Sequence, residues 1–205
     1  VITANPIPYE DFYDFISIGD AKVTFDKIFQ ILVEKRNETK EAKLQALSEI
    51  DGVWVPKYGK NKPIQKISDV LEEPLYTPIL SDKSYFKDTF IIEIERGCPK
   101  TCNFCIASWL NLPVRYTPLE KILEAIDFGL QHTSKIALLG AYVAGHPDFD
   151  KILEYIRKKN KISPVELTLS SLRADLTGEN VIRTLVECGQ KTATIAVEAG
   201  SERLR

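Results

Sequence analysis

The stretch "RGCPKTCNFC", residues 96–105, holds three of the chain's four cysteines within eight residues, at the spacing C-x3-C-x2-C. Four cysteines in 205 residues are too few for a disulfide scaffold, so a cluster this tight points to metal binding or redox chemistry. The rest of the composition is that of an ordinary soluble globular chain: 44% apolar residues, Lys+Arg 27 against Asp+Glu 29. That balance offers no basic surface as evidence for nucleic acid. No apolar run approaches the roughly 20 residues that span a bilayer, and the amino end lacks the zones of a signal peptide. A cytoplasmic address is the expectation. The chain has no methionine, which reads as a fragment of a longer product.

Around the cysteines the carboxy-terminal half repeats one pattern, a short apolar run followed by an amphipathic helix. The first strand is "DTFIIEIERG", ending at Gly97, and the cysteines lie in the loop that follows. In "YTPLEKILEAIDFGLQ", Thr117 and Glu120 have capping-box spacing and Pro118 stands at the first helical position. Leu119, Ile122, Leu123 and Ile126 then share one face. "SKIALLG" is a second strand, and Phe149, Ile152, Leu153 and Ile156 mark a second helix. "PVELTLSS", "GENVIRTLVECG" and "TATIAVEAG" complete the series as strand, helix stopped by Gly189, and fourth strand. Such a series predicts an α/β fold, a partial (β/α) barrel of parallel strands with right-handed crossovers, over residues 90–205.

The amino-terminal half is organised differently. "DFISIGDA" reads as a short strand with a Gly turn, and "KVTFDKIFQILVEKR" as a helix burying Val23, Ile28, Ile31 and Leu32. "NETKEAKLQALSEI" reads as a second helix or a solvated arm. The expected domains are residues 1–50, the end of a Rossmann-like α/β domain; 51–89, a hairpin turning at "GKN" and a proline-bearing linker; and 90–205, the partial barrel.

Zinc needs four ligands, usually two cysteine pairs or a histidine pair, and no second cysteine pair lies near Cys98, Cys102 and Cys105. A structural zinc or a redox pair stays open as the plain alternative. Three thiolates from one loop suit a [4Fe–4S] cluster with one iron left without a protein ligand. Position agrees, since chemistry in parallel α/β folds sits at the carboxyl ends of the strands.

"CPKTCNFC" after the first strand of a βα repeat resembles the radical S-adenosylmethionine superfamily, over residues 86–205. The resemblance implies a [4Fe–4S] cluster on Cys98, Cys102 and Cys105, with S-adenosylmethionine chelating the fourth iron. Reductive cleavage would give methionine and a 5′-deoxyadenosyl radical, with an electron donor such as flavodoxin or ferredoxin. It further implies cofactor-binding roles for Phe104 near the adenine and for Gly140 and Ala141, whose backbone meets the methionine amino group. Tyr142 departs from the family's Gly-Gly-Glu pattern and brings no carboxylate. Ser170, Ser171 and Arg173 stand where the family places partners for ribose and carboxylate, and Glu198 ends the fourth strand in a stretch similar to the family's "ESGS".

Residues 1–32 resemble the tail of the cobalamin-binding domain in one class of these enzymes, which leaves cobalamin open as a further cofactor of the full-length protein. A methylthiotransferase acting on tRNA or a ribosomal protein is the second function, against which "SWLNLPVRYTP" lacks the arginine-rich pattern usual there. A non-enzymatic zinc or iron–sulfur module is the third. Cys188 is expected to be a small buried thiol, His146 to serve a turn, His132 to meet a helix end and Arg115 to lie at the surface. Neither a catalytic residue nor the substrate is legible in the chain.

Overall fold

The computed structural model describes residues 2–59, 71–100, 102–170, 172–195 and 200–204. The chain forms two compact units, residues 1–69 and 70–205.

The first unit pairs β1 (Ile16–Ser17) antiparallel with β2 (Val53–Trp54), Ile16 opposite Trp54. Between them run α1 (Ala21–Glu34) and α2 (Lys40–Ser48). Thr39 caps α2, its hydroxyl accepting from the Ala42 N–H at 3.2 Å, the arrangement that satisfies one of a helix's orphan amino-terminal donors. Thus the charged segment is a helix, and it buries Leu44 and Leu47 against Ile28, Val53 and Val55, with Ile31 and Leu32 partly covered. Because Val53 pairs with Ser17 and a 3-10 turn follows at Pro56–Tyr58, the hairpin expected to turn at "GKN" has its first strand committed to β1. The remainder of that expectation lies outside the described residues.

In the second unit β3 (Thr89–Glu93), the short β4 (Glu95–Arg96) and α3 (Ile106–Leu110) are followed by β5 (Arg115–Tyr116) and α4 (Leu119–Leu130). Then come β6 (Lys135–Leu139), α5 (Phe149–Asn160), β7 (Glu166–Leu169) and α6 (Glu179–Glu187). The sheet is parallel in the order β3-β6-β7, with Ile91 opposite Ala137 and Leu138 opposite Leu169. This is the expected mixed α/β fold with a parallel sheet. Of the fourth strand, Ile195 makes a parallel bridge to Leu172, and residues 196–199 lie outside the described residues.

The helices obey their apolar periods. Ile122 and Ile126 of α4 and Ile152, Leu153 and Ile156 of α5 are fully buried in one core with Ile92, Ile136 and Leu167. Helix α6 ends in a Schellman motif: Gly189, at φ +76°, donates to the Val186 carbonyl, and Gln190 donates to that of Leu185. The amino end of α4 corrects the sequence. Pro118 is the N-cap, without a side-chain cap. The buried Thr117 hydroxyl instead donates to the Glu93 carbonyl at 3.4 Å, and its N–H to that of Ile94 at 3.0 Å. The capping box fails because residue 117 belongs to a strand contact rather than to the helix.

Residues 75–77, within the stretch read as linker, run antiparallel along the other edge of β3. Thr77 N–H donates to the Ile91 carbonyl at 3.0 Å and Glu93 N–H to that of Leu75 at 2.8 Å, covering an edge that would otherwise leave its backbone groups unpaired.

Helix α4 approaches β3 at Gly129, where an added Cβ would stand 2.8 Å from Phe90 Cγ and closer still to Cδ1. Gly to Ala inside a helix normally gains about 1 kcal/mol. Here the Phe90 ring is itself 2% exposed and cannot withdraw, so Gly129→Ala should cost about 1–3 kcal/mol by overpacking. Urea denaturation of the variant measures it, and a gain in stability would contradict this packing.

Candidate functional site

The cysteine loop leaves the sheet at Gly97 and returns at Arg115, and its two roots are paired: Glu95 opposite Tyr116, Arg96 opposite Arg115, antiparallel. Gly97 adopts φ +95°, and a Cβ there would meet the Asn111 carbonyl oxygen at 2.5 Å. Only glycine combines that left-handed backbone with so close an approach. Arg115, expected at the surface, is 4% exposed. Its guanidinium donates to the carbonyls of Pro113 at 3.1 Å and Asn111 at 3.3 Å, which holds the returning arm by its backbone. Within the loop, Cys105 N–H donates to the Cys102 carbonyl at 3.0 Å. Cys98, Cys102 and Cys105 form no disulfide, and each is partly exposed.

Next to this loop lies the carboxyl end of β6. Ile94 N–H donates to the Leu139 carbonyl at 3.0 Å, and directly beyond it the Glu95 side chain enters the turn Gly140–Tyr142. Glu95 is fully buried. Its Oε1 accepts from the Tyr142 N–H. A Cβ at Gly140 would collide with Oε1 and stand 2.7 Å from Cδ, so the glycine makes room for the carboxyl. The second oxygen, Oε2, is buried without a hydrogen-bond partner among the described residues. Burial pushes the carboxyl up to about 7, with the Glu93 charge adding to the rise and the nearby Tyr142 and Ala141 N–H groups opposing it.

Other groups join the two loops. Lys100 Nζ stands 5.7 Å from the centre of the Tyr142 ring, a cation–π contact between the cysteine loop and the β6 turn. Burial raises the Tyr116 hydroxyl, as do the nearby Glu95, Tyr142 and Cys98. His146 supports this tyrosine edge-on, ring centres 5.2 Å apart. The His146 ring bonds the Thr117 carbonyl through Nε2 at 3.0 Å and accepts the Asp148 N–H at Nδ1 at 3.1 Å. Those contacts imply an Nε2–H tautomer, and burial keeps the ring's pKa below its ordinary range. His146 therefore serves the turn and also ties it to the root of the cysteine loop.

Ser170 donates to the Gly140 carbonyl at 3.1 Å. Arg173 forms a bidentate pair with Asp175, both contacts 2.9 Å, within electrostatic reach of Cys102 and Tyr142. The structure thus gathers Cys98, Cys102, Gly140, Ala141, Ser170 and Arg173 around one edge of the sheet. Phe104 is 74% exposed, with no packing on the sheet. Ser171 and Glu198 lie outside the described residues. Cys188 is 2% exposed and burial pushes its thiol up to about 11, which leaves it protonated and inert.

Glu95, Tyr116 and the bridging part of His146 were missed from the sequence. The signal for Glu95 was present: its carboxyl falls at the carboxyl end of the first strand, where a fully buried charge requires partners.

The donor set fits a cubane cluster, with three partly exposed thiols, none in a disulfide, on one clamped loop. Among the described residues no three Cys, His, Asp or Glu side chains converge on a single-ion position, and no helix is long and apolar enough to cross a membrane.

Residues 92–205 match the Radical SAM superfamily, and residues 1–56 match the family described as Radical SAM proteins, N-terminal. An uncharacterized protein of Methanocaldococcus jannaschii is 30% identical over 210 residues, covering 100% of this chain and 42% of its own length. The chain therefore spans less than half the length of this curated relative.

A carboxyl raised from 4.5 to about 7 binds more protons folded than unfolded between those values. Its contribution to stability accordingly falls as pH rises through that window. His146, with a lowered pKa, acts in the opposite sense, so the comparison is made against Glu95→Gln, in which the histidine cancels. Between about pH 5 and pH 8 the wild type should lose stability relative to that variant by something on the order of 2 kcal/mol. Thermal denaturation across pH checks this, and a constant difference would contradict the buried, raised carboxyl.

Proposed function

The chain belongs to the radical SAM superfamily, and from that premise we propose that it carries the cofactor-holding core of a radical S-adenosylmethionine enzyme. One observation supports this most: three partly exposed cysteines, none in a disulfide, share a loop whose roots are clamped by β4 and β5 beside the glycine turn of β6. Cys98, Cys102 and Cys105 would hold a [4Fe–4S] cluster, leaving one iron for the amino and carboxylate groups of S-adenosylmethionine. When bound, these groups supply reductive cleavage of the sulfonium and a radical that abstracts hydrogen from the substrate.

The protein's own part is to bind, orient and shield. The paired roots and the Arg115 contacts fix where the thiols emerge. Ser170 and Glu95 hold the Gly140–Tyr142 turn from two sides. Arg173 places a cation near Cys102, suited to a carboxylate of the cofactor. A flavodoxin or ferredoxin would deliver the electron. Cobalamin enters as a second cofactor of the full-length protein through the resemblance of residues 1–32. Retention of hydroxocobalamin on dialysis of that protein supports it, and loss removes it.

Anaerobic reconstitution should load about four irons per chain, the content of one cubane. Replacing Cys98, Cys102 or Cys105 by Ala should abolish loading, while Cys188→Ala should leave it intact. Iron analysis and visible absorption read both. A colourless protein that takes zinc and resists iron would contradict the assignment.

A further inference from the structure

The buried Glu95 carboxyl is more than a filler of space. It is 0% exposed, arises from the strand that leads into the cysteine loop, and accepts the Tyr142 backbone N–H from a different strand's end. An N–H held on a buried acceptor constrains the peptide plane that carries it. In a planar trans peptide the C=O points opposite to the following N–H. With the Tyr142 N–H on Glu95, the Ala141 carbonyl must point away from the carboxyl. The preceding carbonyl, of Gly140, is held separately by the Ser170 hydroxyl at 3.1 Å. Ala141 is exposed, and its carbonyl has no donor among the described residues. The Lys100–Tyr142 contact keeps the cysteine loop against this same turn. The turn thus presents a fixed, outward acceptor beside the thiols, suited to an N–H donor and not to a carboxylate.

Resting on the functional assignment above, we propose that Glu95 is a positioning residue for the cofactor. By accepting the Tyr142 N–H, it fixes the Ala141 carbonyl as an acceptor for an N–H of the amino group of S-adenosylmethionine. It acts through the backbone and does not touch the ligand, since its own oxygens are buried beneath the turn. The acceptor oxygen is what matters, and the negative charge is not.

Glu95→Met keeps the size of the side chain and removes the acceptor; Glu95→Gln keeps an acceptor and removes the charge. Both are made in the full-length, iron-loaded protein, and binding is measured by equilibrium dialysis with two probes. S-adenosylmethionine carries the amino group, and 5′-methylthioadenosine shares its adenosine but lacks the amino-acid end. Glu95→Met should weaken S-adenosylmethionine by about tenfold, the equivalent of one hydrogen bond, and leave 5′-methylthioadenosine unchanged. Glu95→Gln should bind S-adenosylmethionine within about threefold of wild type, a difference well under one such bond. Equal loss for both probes in the Met variant would mean a merely structural role and overturn the proposal, as would no loss at all. Should the Met variant fail to fold, Glu95→Gln still decides, because a large loss there would assign the effect to charge and overturn positioning through the backbone. Wild-type protein that holds iron but binds neither probe would instead overturn the functional assignment itself.

Discussion

A carboxyl group placed in a protein interior must find donors or give up its charge, and at Glu95 both happen together. The Tyr142 N–H of the β6 turn supplies the donor, while burial raises the group to about 7. The bond it makes is not local. Residues 95 and 142 are 47 positions apart in the chain, and joining them locks the strand that launches the cysteine loop to the end of the neighbouring parallel strand. Gly140 follows from the same constraint, since a side chain there would occupy the volume of the carboxyl.

From that joint the rest of the site takes its position. The parallel register of β3 and β6 brings their carboxyl ends level, Glu93 opposite Leu139. Pairing of β4 with β5 then closes the cysteine loop at its root, where Gly97 and Arg115 hold the crossing backbone. The outer part of the loop stays partly exposed. A rigid root with an accessible tip is what a cofactor held by thiolates needs, because the protein has to fix the ligands while leaving one face for a second molecule.

Much of the fold could be read in the sequence because it depends on neighbours in the chain. The apolar faces of α4 and α5 repeat at helical spacing, and the same residues are buried. Gly189 ends α6 through a left-handed turn that is local to three residues. What was not legible depends on distant partners. Thr117 has the type and spacing of a cap, yet its hydroxyl is taken by the Glu93 carbonyl across the sheet. Residues 75–77 look like linker until β3 offers them an edge. Arg115 looks like a surface cation until two loop carbonyls converge on it. The site divides in the same way: the cysteine triplet is a sequence signal, while Glu95 acquires its meaning only when β6 arrives beside it.

Amide hydrogen exchange at Tyr142 tests the joint most directly, because it reads the N–H group that Glu95 receives. The Tyr142 amide should exchange slowly in the wild-type chain, near the rate of the β6 core at Ile136 and Leu138. In Glu95→Ala it should become fast while the core amides stay protected. Rapid exchange at Tyr142 in the wild type, or unchanged protection in the variant, would contradict the claim that this carboxyl holds the cysteine loop and the β6 turn together.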